Sequence, residues 1–141
     1  MRKRSRAREL ALQILFQVDL RGDEILEDLD GILVRSGKAS DVTDFARDLV
    51  TGTASLADEV DAEIASVAEH WDVRRMAAID RNILRMAVFE MRERSDIPSK
   101  VSINEAIELG KKYSTAQSGA FINGILDRIR RVLETEGRLE D

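Results

Sequence analysis

Apolar residues recur along this chain at three- and four-residue spacing, and no stretch sustains the two-residue alternation of a half-buried strand. A first amphipathic helix is predicted over Glu9–Val18, into which the basic start runs directly, with Arg21-Gly22-Asp23 as its stop. Ile25, Leu26, Leu29, Ile32 and Leu33 make a second, shorter one. From Asp41 the stripe Val42, Phe45, Leu49, Leu56, Val60, Ile64 and Val67 keeps to one face, with a bend expected at Thr51-Gly52-Thr53. The pattern breaks around His70-Trp71-Asp72, where Asp72 can cap a helix over residues 73–94. Ser95-Asp96-Ile97-Pro98 reads as a turn, because the residue before a proline disfavours helix. Val101-Ser102-Ile103-Asn104-Glu105 matches a capping box with a hydrophobic staple, opening a helix that ends near Tyr113. The last helix turns Ile122, Leu126, Ile129 and Leu133 inward, and residues 137–141 read as a disordered tail. The class is all-α, with six helices, or seven if the long one bends sharply. Two sub-bundles are expected, at roughly residues 1–70 and 71–136.

Composition supports this and narrows the function. The 141 residues include 43% hydrophobic and 35% charged side chains, enough apolar surface for one compact core with a well-solvated exterior. No apolar run approaches the roughly 20 residues that span a bilayer. There is no cysteine, so disulfides, thiolate metal sites and cysteine nucleophiles are excluded, and a reducing cytoplasm is the natural location. A single proline lets long helices run unbroken.

Charge is distributed unevenly. Arg2, Lys3, Arg4, Arg6 and Arg8 crowd the first eight residues without an acid among them, although the net charge is −5. Arg4, Arg8, Leu12, Phe16 and Leu20 lie on one four-residue row, so guanidinium groups and a ring share a helix edge. Positive charge beside stackable surface is how a small protein holds single-stranded RNA. A signal peptide is excluded by Glu9, Gln13, Gln17 and Asp19, and a solvated terminus is the competing reading.

Catalytic and metal chemistry find little support. His70 has no second His and no Cys with which to share a metal, and beside Trp71 it reads as a packing or capping residue. The Gly31 to Gly37 spacing and Ala39 do not fit a phosphate loop. Glu90 falls in the middle of the apolar arc of Met76, Ile79, Ile83, Met86 and Ala87, where a carboxylate must be paired. It reads as a buried tie between helices rather than a general acid. In the last helix Phe121 sits on the shoulder of the apolar arc, and Gly124 faces outward, where alanine would be better by about 1 kcal/mol. A glycine kept there points to something approaching the backbone closely, and a half-exposed Phe121 would offer a base a stacking platform. No cofactor motif appears, and the chain reads as a non-enzyme.

Four segments together resemble the NusB family of bacterial transcription antitermination and ribosomal-RNA processing factors. They are Arg6-Ala7-Arg8-Glu9-Leu10-Ala11-Leu12-Gln13, the stretch Asp80-Arg81-Asn82-Ile83-Leu84-Arg85-Met86, the stretch Val101-Ser102-Ile103-Asn104-Glu105-Ala106, and Phe121-Ile122-Asn123-Gly124-Ile125-Leu126-Asp127. The resemblance spans nearly the whole chain. It implies three N-terminal helices packed on a four-helix C-terminal part. It also implies binding of the boxA element of nascent RNA jointly with NusE, a small ribosomal-subunit protein, within the RNA polymerase antitermination complex. Residues that the resemblance turns toward RNA are Arg2, Lys3, Arg4, Arg6 and Arg8 with Gln117 and Phe121; toward NusE, Phe16 and Asp80. Some members self-associate, so a homodimer is an allowed state. The chain departs from the family at Ala120, where Lys or Arg is frequent, and at Phe16, where Tyr is frequent. Two other readings remain at this point. One is the RNA-binding part of a ribosomal-RNA cytosine methyltransferase, which needs a following cofactor domain. The other is a helical adaptor whose basic end binds acidic partners without reading RNA sequence.

Overall fold

The computed structural model describes residues 2–69 and 71–138; the expectations for His70 and for residues 139–141 of the tail lie outside them. The described residues are helical throughout their regular structure, as the periodicity predicts. Eight α-helices follow in order: α1 (Lys3–Arg21), α2 (Glu24–Glu27), α3 (Leu29–Arg35), α4 (Ser40–Ser55), α5 (Ala57–Val67), α6 (Ala78–Glu93), α7 (Ser99–Tyr113) and α8 (Ser118–Thr135). A single 3-10 turn, Val73–Arg75, precedes α6.

The chain divides into two compact units, Met1–Ser55 and Leu56–Asp141, so the division falls earlier than residue 70. The reason lies in the long apolar stripe, which is two helices. The chain leaves helical geometry at Leu56 (φ −107°, ψ 18°), not at Thr51-Gly52-Thr53. Just before the break the Ser55 hydroxyl donates to the Gly52 carbonyl at 3.0 Å, a local bond that competes with helix continuation. The short second helix is likewise two pieces, parted at Asp28. Eight helices thus stand where six or seven are expected, with the all-α class unchanged.

In the first unit α1 is the central element. Ala7, Leu10, Ala11, Leu12, Ile14 and Leu15 are all buried, too wide an arc for a helix lying on a surface. It packs chiefly against α4, whose Val42, Phe45, Ala46, Leu49 and Val50 are buried in turn. Gly22 ends α1 with φ 93°, a conformation that favours glycine, and its amide donates to the Val18 carbonyl at 2.8 Å.

In the second unit α6, α7 and α8 pack on one another, and α5 packs on α6 and α8. Asp72 does cap, accepting from the Arg74 amide at 2.9 Å, but what it caps is the 3-10 turn. Met76 and Ala77 are extended, so α6 begins only at Ala78. Arg81 compensates the interruption: its guanidinium donates to the Met76 carbonyl at 2.9 Å. The capping box at Ser102 does not form. The helix α7 starts three residues earlier, at Ser99 after Pro98, which leaves Ser102 inside the first turn. Its hydroxyl is buried and donates instead to Glu90 of α6 at 2.9 Å. The Glu90 carboxylate, 1% exposed, is therefore the expected tie between helices.

Removing the donor while leaving the buried acceptor costs more than the bond itself contributes, about 1–3 kcal/mol. Ser102→Ala is expected to lower unfolding free energy by that amount in urea denaturation. An unchanged midpoint would mean that Glu90 does not depend on Ser102.

Candidate nucleic-acid interface

The basic end begins as exposed side chains on the first turn of α1. Arg2, Lys3, Arg4 and Arg6 are all exposed, as an RNA-facing segment requires. Lys3 reaches Asp41 at 2.6 Å, and this hydrogen bond holds the Asp41 carboxyl below its ordinary value. Arg8 departs from expectation. It is 2% exposed and belongs to the interior of the first unit, so it offers no phosphate contact in this structure. The cause is a tertiary neighbour. Phe45 of α4 stands against α1, with the Arg4 guanidinium 4.6 Å and the Arg8 guanidinium 5.4 Å from its ring centroid. At these distances the ring quadrupole attracts both cations. The ring that accompanies the arginine row is thus Phe45, while Phe16 is half-buried farther along α1.

The second unit carries an aromatic site. Phe121, one turn into α8, is half-buried, which fits the shoulder position inferred from its periodicity. Its ring meets Trp71 edge to face, with centroids 5.5 Å apart and planes at 75°. Trp71 is 55% exposed, although a tryptophan is usually among the more buried residues. A T-shaped pair stabilises itself and still leaves ring faces open for stacking.

Both rings line two open cavities. One, of about 290 Å³, is completed by Met76, Ala77, Asp80, Thr115, Gln117 and Ser118. The other, of about 220 Å³, is completed by Ala68, Glu69, Ala120, Gly124, Ile125 and Arg128. Asp80 is buried, at 9% exposure, rather than a surface charge. One of its carboxylate oxygens accepts from the Ser118 hydroxyl at 3.2 Å; the other, Oδ1, is buried without a hydrogen-bond partner. Ser118 is also tied to Ser114 at 2.9 Å and to Thr115 at 3.0 Å. At the other edge the amide of Arg74 holds the Asp72 carboxyl below its ordinary value. Its contribution to the turn is therefore present above the ordinary carboxylate range and fades as pH falls through the lowered native value.

The structure thus brings Gln117, Phe121 and Asp80 to one cavity, and Arg4 and Arg8 to one ring. Phe16 belongs to the first unit and Asp80 to the second. Trp71 is the residue that sequence reasoning passed over, and the available signal was a lone tryptophan at a break in helical periodicity. Among the described residues no group of three His, Cys, Asp or Glu side chains could hold a metal ion. Among the described residues no helix is long and apolar enough to cross a membrane.

A model of the NusB family matches residues 5–131. The chain belongs to the NusB family. A transcription antitermination protein NusB of Desulforamulus reducens is 48% identical over 126 residues, covering 89% of this chain and 88% of that protein. Among solved structures, NusB of T. maritima superposes with a TM-score of 0.83 at 38% identity, covering 91% of this chain and 90% of that one. A crystal structure of antitermination factors NusB and NusE in complex with dsRNA also superposes with a TM-score of 0.83, at 28% identity, over 94% of this chain and 98% of that one. The family is one of regulatory factors rather than enzymes, in agreement with the non-catalytic reading of the sequence.

The burial of Arg8 separates it from its neighbours experimentally. Truncating a packed side chain with a large contact area destabilises the fold by about 2–5 kcal/mol. Arg8→Ala is expected to fall in that range by thermal and urea unfolding, whereas Arg6→Ala, on the exposed side, stays within about 0.5 kcal/mol of the parent. Equal and small effects would return Arg8 to the surface.

Proposed function

We propose that this protein is a cytoplasmic antitermination factor that binds boxA RNA as a single strand, jointly with NusE, in the service of RNA polymerase. The single observation that carries the RNA reading is the exposed Trp71–Phe121 pair, with a cavity on each flank. Trp71 is 55% exposed, so much of this aromatic surface is left open to solvent. It offers what an unstacked base needs: ring faces beside hydrogen-bonding groups. In the first unit, phosphate contacts are assigned to Arg2, Lys3, Arg4 and Arg6 on α1. Arg8 supports that turn from below by packing on Phe45. Family membership favours this reading over an adaptor that ignores base identity, and over a methyltransferase fragment.

NusE binding is assigned to Phe16 and to Asp80. The unpartnered Oδ1 of Asp80 supports the second assignment, because a buried carboxylate oxygen without a donor is stabilised by any partner that brings one. A homodimer remains compatible with the family and is distinguished by oligomeric state in solution.

RNA binding is tested by titrating labelled boxA RNA at several salt concentrations. Phe121→Ala is expected to weaken binding by about 1–3 kcal/mol, the worth of one stacked base, with only a modest loss of fold stability. Arg2→Ala with Arg6→Ala should flatten the log–log salt dependence by about 1.4 if each arginine neutralises one phosphate of a single strand. The Phe121 defect should be insensitive to salt. Equal affinity in all variants at matched salt would overturn the RNA reading.

A second measurement isolates the protein partner. Asp80→Asn preserves shape and the Ser118 contact but removes the charge. It is expected to weaken NusE binding by about 2–5 kcal/mol in calorimetry, the range for a desolvated charge pair. An unaltered affinity would place the interface elsewhere.

A further inference from the structure

Trp71 stands on irregular backbone, between the end of α5 at Val67 and the start of α6 at Ala78. Segments with few buried contacts open most readily, so an exposed ring on one needs an anchor to keep a single orientation. Local anchors are present: the Trp71 amide donates to the Ala68 carbonyl at 3.0 Å, and Val73 and Met76 are buried. Two guanidinium groups add to these. Arg128 of α8 donates from Nη1 to the Val67 carbonyl at 3.0 Å, where α5 ends. Arg81, in the first turn of α6, reaches back and donates from Nη1 to the Met76 carbonyl at 2.9 Å and to the Arg74 carbonyl at 3.3 Å. The 3-10 turn itself closes without Arg81. Its bonds are the Asp72 cap on the Arg74 amide, the Arg75 amide to the Asp72 carbonyl at 2.9 Å, and the Met76 amide to the Val73 carbonyl at 3.2 Å. What Arg81 adds is the attachment of this turn to α6.

We propose that Arg81 is a positioning residue for Trp71: by gripping these two carbonyls it holds the segment in the path that sets the Trp71 ring edge to face against Phe121. Only the binding arm of the test below rests on the reading of that ring pair as an RNA surface. The chain of contacts is continuous. Arg81 fastens the turn to α6, α6 packs on α8, and α8 carries Phe121. A hydrogen bond from a charged donor is roughly twice as strong as a neutral one, and the guanidinium fork loses little freedom in making it. Met76 is extended, so its carbonyl lies outside the helical ladder and is open to such a donor. Asp80 and Arg81 are neighbours with different tasks. Asp80 borders the cavity that Trp71 and Phe121 line, and Arg81 sets where one of those rings stands. A ring held in place beforehand costs a ligand less ordering on binding.

Trp71 is the only tryptophan of the chain, so its fluorescence reports this segment alone. Arg81→Met keeps an apolar stem and removes every donor, whereas Arg81→Lys keeps the stem, the charge and a donor. Both are measured in the full chain well below the unfolding midpoint, with far-ultraviolet circular dichroism to confirm intact helices. Arg81→Met is expected to raise acrylamide quenching of Trp71 about twofold, as a released ring goes from 55% to nearly full exposure. It should weaken boxA RNA binding about fivefold, the low end of what one stacked base contributes. The salt slope should not change, because Arg81 is assigned no phosphate. Arg81→Lys should restore most of both. Arg81→Gln, which keeps a donor on a shorter reach, should lie between the two and replaces Arg81→Met if that variant does not fold. Quenching like the parent in the donor-free variant overturns the proposal. So does an equal change in Arg81→Lys, since donation would then not be what matters. A salt slope flattened by about 0.7 would make Arg81 a phosphate contact instead and overturn it as well. Raised quenching with parent-like RNA affinity upholds Arg81 as the positioning residue and overturns the RNA reading of the ring pair.

Discussion

The rotation of α8 about its own axis is the constraint on which the candidate site depends. Ile122, Leu126, Ile129 and Leu133 are fully buried, and Ile125 nearly so. With 3.6 residues per turn, seating those five side chains in the core leaves no freedom in where the others point. Phe121, Gly124 and Arg128, at spacings of three and four, are carried together to the flank of that buried face. At Gly110 of α7 the Ile122 side chain lies close, since a Cβ there would come within 2.7 Å of Ile122 Cδ1. Core packing thereby aims the aromatic ring, the bare backbone and the guanidinium into one neighbourhood without any of them contributing to the core.

Much of this was legible because it is written in periodicity. The shoulder position of Phe121, the outward face of Gly124 and the buried place of Glu90 all follow from projecting a helical sequence at its natural repeat. What periodicity cannot express is the neighbour from another helix. Arg8 shares a row with Arg4 and looks equally exposed in one dimension, but Phe45 arrives from α4 to cover it. Ser102 has the sequence of a helix cap, yet Pro98 fixes an extended start that opens α7 earlier, and Glu90 claims the hydroxyl. Asp80, which the resemblance turns toward NusE, is buried against Ser118, 38 residues away in sequence. Each of these differences is a tertiary partner overriding a sound local preference.

The electrostatics of the basic end follow from the same burial. Five cations in the first eight residues suggest five phosphate contacts, but the structure spends them unequally. Arg8 is an internal packing residue, and Lys3 is already engaged with Asp41. The Lys3–Asp41 pair is exposed, so water and salt screen it, and a phosphate could take Lys3 at little cost. Arg4, stacked on Phe45 yet exposed, has its guanidinium held at the surface of the unit. A stacked guanidinium loses less rotamer freedom on meeting a phosphate than a free one does, and preorganisation of this kind raises affinity without adding a contact.

The aromatic end illustrates the opposite trade. An exposed tryptophan against a half-buried phenylalanine leaves apolar area in water that a fold selected for stability alone would cover. The unpartnered oxygen of Asp80 in the adjoining cavity is a second uncompensated cost, and the glycine at 124 a third. Each is small beside the packing of α6, α7 and α8, and the three concern residues that border the same two cavities. Polar groups left unsatisfied and backbone left bare are normally scattered and few in a native domain. The three costs that border this ring pair are of the kind a bound ligand offsets by supplying the missing contacts.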